Sequence, residues 1–269
     1  MLDTTASALE RARFAEGSKR LLQMEPIPGL ARVVEVDERG CWYIRARVPA
    51  IELSAAAAQG EWKWPARLQF VADLLEVLHS LHANALVHGA LCPRNVMVAL
   101  DGRPLIAEAG TVDVALLDGR DAGCPAEYAP FAAPEVLAGE SFDASADTFA
   151  VGRLIEYLSS GRELGSARSA LGPWDEAATK LSAIVDAATA EQIQDRYVSA
   201  REMMRALRVV IDLERSFALP EFWPNDAMRS ACEPDQRLLG SSSPGTGLTI
   251  PLVLAALVLL LGLTVWFVG

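Results

Sequence analysis

The chain has 269 residues, 51% hydrophobic and 22% charged, which is enough apolar material for one large domain or two small ones. A net charge of −11 and a pI near 4.8 repel phosphate backbones and argue against a nucleic-acid partner. Cys41, Cys92, Cys124 and Cys232 form no CxxC pair and the only histidines are His79, His82 and His88, so neither a zinc site nor a disulfide framework is expected.

Residues 7–24 have helical spacing, with Phe14, Leu21, Leu22 and Met24 as the later apolar positions and Pro26 and Pro28 as terminators. Thr4, Thr5 or Ser7 could cap this helix. Residues 30–36 and 41–48 are β-rich, and Asp37-Glu38-Arg39-Gly40 between them predicts a hairpin. Ala55 to Ala58 is a short helix-forming run. A strong helix follows over 65–83, with Pro65 at its start and Leu68, Val71, Leu75, Leu78 and Leu81 facing inward. From Ala146 the pattern is helical nearly to Phe217. A small β part before a large helical part is an α+β arrangement.

The last two segments differ in composition. Residues 218–247 hold Pro220, Pro224, Pro234, Pro244 and the run Gly240-Ser241-Ser242-Ser243, and read as a linker. Residues 248–269 then run without a charge. About 20 apolar residues at 1.5 Å each span roughly 30 Å, one hydrocarbon core. Pro251 falls in the first turn, and Trp266 and Phe267 sit where aromatic rings favour the interface. This predicts a transmembrane helix acting as a C-terminal tail anchor. Arg229 and Arg237 precede it and no basic residue follows, which places the globular part in the cytoplasm. Free thiols fit that reducing compartment. Met1-Leu2-Asp3 opens no secretory signal.

Five motifs then fall in a telling order. Residues 88–98 read His88-Gly89-Ala90-Leu91-Cys92-Pro93-Arg94-Asn95-Val96-Met97-Val98. Leu105-Ile106-Ala107-Glu108-Ala109-Gly110 follows, then Ala133-Pro134-Glu135. Ser145-Ala146-Asp147-Thr148-Phe149-Ala150-Val151-Gly152 and Arg196-Tyr197-Val198-Ser199-Ala200-Arg201-Glu202-Met203 complete the set. Together they resemble the bacterial-type Ser/Thr protein kinases: the H-R-D-L-K-P-x-N catalytic loop, the D-F-G region, the A-P-E motif, the opening of the central C-lobe helix and the arginine motif near the domain's end.

The resemblance spans about residues 10–210 and implies a protein-kinase-like α+β fold. It divides the chain into a reduced N-lobe and hinge at 1–64, with one helix and about two strands, and a mainly helical C-lobe at 65–217. The linker 218–247 and the membrane helix 248–269 follow. Implied structural residues are Glu135 and Arg196, as a buried ion pair, and Asp147, as a clamp on the catalytic-loop backbone. The reactive positions are replaced. The base that accepts the substrate hydroxyl proton is Ala90, the phosphate-steadying lysine is Cys92, and the arginine that reads activation-loop phosphorylation is Gly89. The metal-binding aspartate is Glu108, one methylene longer, against magnesium's strict octahedral demands. Asn95 and Glu108 are the remaining candidates for holding a metal or nucleotide, and a backbone-capping amide is the alternative reading of Asn95.

The front of the domain is thin. No Gly-rich loop and no strand lysine precede Phe14, and Glu16 stands as a candidate for the helix glutamate that would pair with that lysine. The chain therefore reads as starting inside the N-lobe, by trimming or because the true start lies upstream. Residues 110–133 correspond to the activation loop, with Thr111 and Tyr128 and no serine, so a phosphate-ordered switch is not expected. The pairs Asp118/Asp121 and Asp37/Glu38 read as solvated turns. His79 and His82 could clamp a metal, but no carboxylate or thiol cluster accompanies them.

These features lead to a membrane-anchored pseudokinase acting as a scaffold for a protein partner, with no cofactor. The other two expectations are an active atypical Ser/Thr kinase using ATP with Mg or Mn, and a nucleotide sensor that does not hydrolyse. A trimmed N-lobe would also leave an open sheet edge beside Cys41-Trp42-Tyr43-Ile44, which invites strand addition.

Overall fold

Helix α1 (Ala8–Gln23) buries Phe14 and Leu21 and leaves Leu22 41% exposed, so only part of the predicted apolar stripe faces inward. The Phe14 ring stacks on Tyr43 at 5.6 Å, which seats α1 on the hairpin of β1 (Val33–Val36) and β2 (Tyr43–Ala46). The two strands are antiparallel, with Val36 opposite Tyr43 and Val33 opposite Arg45. These elements come from a computed structural model that describes residues 8–37, 42–58, 62–107, 109, 128–160, 176–215 and 263–264.

A third strand, β3 (Ala50–Glu52), and a second, short helix at Leu53–Ala58 lie before residue 64, where one helix and about two strands were expected. Three residues are too few to show a period-2 pattern, and the strand exists because a partner distant in the sequence claims its backbone. That partner is β4 (Val96–Ala99), which also pairs with β5 (Pro104–Ile106). A parallel bridge between Leu30 and Ile106 joins this sheet to the segment leading into β1.

Helix α2 (Leu53–Ala58) uses the short alanine run and buries Leu53, Ala56 and Ala57. Helix α3 (Trp64–Ala83) has Pro65 in its first turn and buries all five residues expected to face inward. Arg67 fixes its start by donating to the Trp62 and Leu158 carbonyls. Arg20 of α1 donates to the Ala85 carbonyl at 3.1 Å, just past the end of α3, where Ala85 has φ +53°.

Four further helices follow among the described residues: α4 (Pro134–Leu137), α5 (Ala144–Ser160), α6 (Glu176–Ala188) and α7 (Ala200–Arg215). Helix α3 packs on α5, α7 and β5, and α6 packs on α5 and α7. The centre holds Phe70, Leu74, Leu75, Leu154, Ile155 and Leu158, all nearly inaccessible. Gly152 lets α5 approach α6, because a Cβ there would lie 2.8 Å from Thr189 Cγ2 and 2.9 Å from Ala188 Cβ.

The stretch after 146 is less continuous than its pattern predicts. Residues 189–199 leave the helix, with one 3-10 turn at Ile193–Asp195. The Arg196 guanidinium claims the carbonyls of Ala190 and Glu191 at 2.7 and 3.0 Å, so a buried cation replaces the helical partners those groups would have had.

Among the described residues no helix is long and apolar enough to cross a membrane. The linker expected at 218–247 lies outside the described residues. So does the membrane helix expected at 248–269, except for Leu263 and Thr264. Those two form a short strand, β6 (Leu263–Thr264), antiparallel to β2, with Thr264 opposite Arg45 and Leu263 opposite Ala46.

Candidate functional site

The loop after α3 is built around one carboxylate. Asp147, in the first turn of α5 and 1% exposed, accepts the His88 and Gly89 backbone N–H groups at 2.8 Å each, on Oδ2 and Oδ1 respectively. Its Oδ2 also meets His82 Nε2 at 2.8 Å. Backbone donors held by a buried carboxylate are the strong kind of hydrogen bond, so the loop is pinned at its first two residues.

His88 pins the loop from the other side. Its Nε2 donates to the Ala107 carbonyl at 2.9 Å, since a carbonyl can only accept. Its Nδ1 then accepts the Ala90 N–H at 3.3 Å, which assigns the ring as the neutral Nε2–H tautomer. Ala107 directly follows β5, so the His88 contact couples the loop to that strand.

Asn95 closes the turn. Its Oδ1 accepts the Cys92 N–H at 3.0 Å and its Nδ2 donates to the Ala90 carbonyl at 2.7 Å. Both ends of the amide face backbone, and the side chain is 3% exposed. Asn95 is thus seated as a cap of this loop. The other metal candidate, Glu108, lies outside the described residues. Among those described, no group of three His, Cys, Asp or Glu side chains could hold a metal ion.

Ala90 and Cys92 are apolar and buried at this loop. Ala90 is 7% exposed and Cys92 is fully buried, so each sits where a longer polar side chain would need space or solvent. Gly89 has φ +76°, and a Cβ there would lie 2.9 Å from the Phe142 ring. A shallow pocket beside the loop is walled by Ala90, Tyr128, Phe131 and Ala146. Gly89→Ala is expected to destabilise by about 1–2 kcal/mol, from the left-handed backbone alone, with crowding by Phe142 adding to it. A urea melt beside wild type reads this, and an unchanged midpoint would mean that the loop simply turns over.

The second buried group is an ion pair. Arg196 donates to Glu135 through Nη1 at 2.7 Å and Nη2 at 2.9 Å, a bidentate fork. The guanidinium also lies 4.9 Å from the centre of the Phe149 ring. The pair fastens α4 to the turn before α7.

The structure therefore brings Glu135 to Arg196, holds His88 and Gly89 on Asp147, and holds Ala90 and Cys92 on Asn95. His82, one half of the expected His79/His82 pair, spends its Nε2 on Asp147. Two contributors escaped sequence reasoning. His82 carried only a three-residue spacing from His79, which pointed to the wrong partner. Phe142 lies outside every motif, and only its place above Gly89 reveals it.

No protein-family model matches the chain. Over 93 residues it is 39% identical to human rhodopsin kinase GRK1, a match covering 33% of this chain and 16% of that protein. Over 99 residues it is 32% identical to a dual serine/threonine and tyrosine protein kinase of Apis mellifera, covering 36% of this chain and 10% of that one. The matched region is thus a small part of the length of these relatives. Among solved structures, the chain resembles a double mutant of the Mycobacterium tuberculosis PknI kinase domain. The TM-score is 0.60 at 22% identity, covering 76% of this chain and 80% of that one. The fold is protein-kinase-like α+β.

Proposed function

We propose that this protein-kinase-like chain is a catalytically inactive pseudokinase, tethered to a membrane by residues 248–269 with its globular part in the cytoplasm, and that it works as a scaffold for a protein partner. The observation that carries the reading is the state of the loop. Where a phosphotransferase needs a proton acceptor there is the Ala90 methyl, and the Asn95 amide is occupied at both ends by backbone. Phosphoryl transfer depends on positioning and charge neutralisation by such groups. Among the described residues no group of three His, Cys, Asp or Glu side chains could hold a metal beside the loop, which supports the reading without nucleotide chemistry. What the loop retains is architecture: Asp147, His88 and Asn95 hold its backbone in place.

The test is a thermal melt of the full chain in detergent, with ATP or ADP and Mg or Mn, followed by radiolabel transfer to peptides. A ligand at 100 times its Kd adds about 2.7 kcal/mol, or several degrees at roughly 2–4 °C per kcal/mol for a domain of this size. No shift and no transfer are expected. A metal-dependent shift without transfer would replace this reading with a nucleotide sensor. Transfer that disappears in Asn95→Ala would replace it with an active atypical kinase.

A further inference from the structure

We infer that the outer face of α7 is a docking surface for an anionic lipid bilayer, read by Arg201, Arg205 and Arg208 and flanked by Val198 and Val209. The inference stands apart from the proposed tether, which uses other residues.

Helix α7 divides between two sides. Its inner side, with Met203, Leu207 and Val210, is buried where the helix packs on α3 and α6. Arg201, Arg205 and Arg208 are exposed. Positions i, i+4 and i+7 share one face of a helix, so the three guanidinium groups form a ridge about two turns long. In a chain of net charge −11 that ridge is an island of the opposite sign. Its acidic neighbours do not cancel it. The Glu202 carboxylate turns back to accept the Val198 N–H at 3.2 Å, and the Glu202 N–H donates to Ser199 Oγ at 3.2 Å, a capping arrangement at the helix start. Asp73 of α3 feels the charge of Arg208, but burial dominates there and raises its carboxyl pKa. Asp212 is exposed one turn beyond Arg208 and ends the ridge. Among the described residues neither Arg201 nor Arg205 has an ion-pair partner.

The apolar groups decide the partner. Val198 is 82% exposed and Val209 50%, the two highest values among the large apolar side chains described. Val198 lies in the turn ahead of Arg201, and Val209 directly follows Arg208, so the two bracket the ridge. An acidic peptide would satisfy the arginines and leave both valines in water. A bilayer surface offers phosphate and carboxylate oxygens to the arginines and the acyl boundary to the valines. The acidic remainder of the chain is repelled by the same surface, which selects this face for contact.

The experiment uses the full chain with Cys41, Cys124 and Cys232 changed to Ser, which leaves only the buried Cys92, and with Val198→Cys carrying a polarity-sensitive fluorophore. Vesicles are phosphatidylcholine alone or phosphatidylcholine mixed with phosphatidylserine, and flotation is scored beside the emission. The expected result is a blue shift on the mixed vesicles and none on phosphatidylcholine. The triple variant Arg201→Gln, Arg205→Gln, Arg208→Gln should lose it, and glutamine keeps the helix propensity of these positions. Each arginine at such a surface is worth about five-fold, so the docked-to-undocked ratio should fall on the order of a hundred-fold. High salt should shrink the shift in the protein that keeps its arginines, a reading that needs no folded variant. An equal shift on both vesicles, or one that survives salt and the triple variant, overturns the reading of charge. Flotation with both vesicles and no shift overturns the docking face and leaves the tether standing. Flotation with the mixed vesicles alone, with the shift, overturns the tether and leaves the docking face standing. No shift on vesicles but a shift with poly-glutamate assigns the ridge to an acidic protein and overturns the inference.

Discussion

Arg196→Met is expected to destabilise the protein by about 3–5 kcal/mol, because it strands the Glu135 carboxylate as a buried, unpaired charge. The arginine is inaccessible at its side chain and Glu135 is 5% exposed, so water cannot replace the lost partner without opening the fold. The same substitution releases the carbonyls of Ala190 and Glu191, which loosens the turn ahead of α7. Glu135→Gln should cost less, since the cation keeps both carbonyls and the Phe149 face. Replacing both residues, Glu135→Leu with Arg196→Met, should recover much of the loss, as apolar isosteres often match a buried pair. Urea unfolding of the three variants reads the order directly. A loss below about 1 kcal/mol in Arg196→Met, the range of exposed pairs, would mean that the pair does not hold α4 to the turn. Added salt should matter little, because screening acts weakly on buried charges.

Much of this fold was readable in the chain because its signals are local and repeated. The apolar stripe of α3 needs only helical spacing, and all five of its expected residues are buried. The hairpin of β1 and β2 needs only two β-rich runs and a turn. Signals that depend on a distant partner were harder. Strand β3 exists through β4, some 45 residues on, and its three residues carry no period of their own. The break at 189–199 depends on one arginine turning back to claim carbonyls, which helical spacing cannot foresee. At the site, motif order pointed to Asp147, Glu135 and Arg196, while distances were needed to see that Asn95 faces backbone on both sides. His82 and Phe142 became visible only once α3, α5 and the loop stood together.

The clamp at Asp147 gives the other large effect. Asp147→Ala should cost about 3 kcal/mol or more, since one buried and one half-buried N–H group lose a charged acceptor and each such bond is worth roughly 1.5–3 kcal/mol. The loss should be local before it is global. Hydrogen exchange at the His88 and Gly89 amides should accelerate more than exchange in α3 or α7, whose ladders do not include this carboxylate. Asp147→Asn tests the same point with shape preserved. Three donors converge on the two carboxylate oxygens, and an amide offers only one oxygen. Its NH2 must then face a backbone N–H or the His82 ring, so a substitution of nearly equal volume should still destabilise. His82→Ala separates the contributions, because it removes the ring and leaves both backbone bonds intact. It should cost less than Asp147→Ala and leave the two loop amides protected. If His82→Ala exposes them equally, the ring holds the carboxylate in place, and the clamp belongs to α3 as much as to α5.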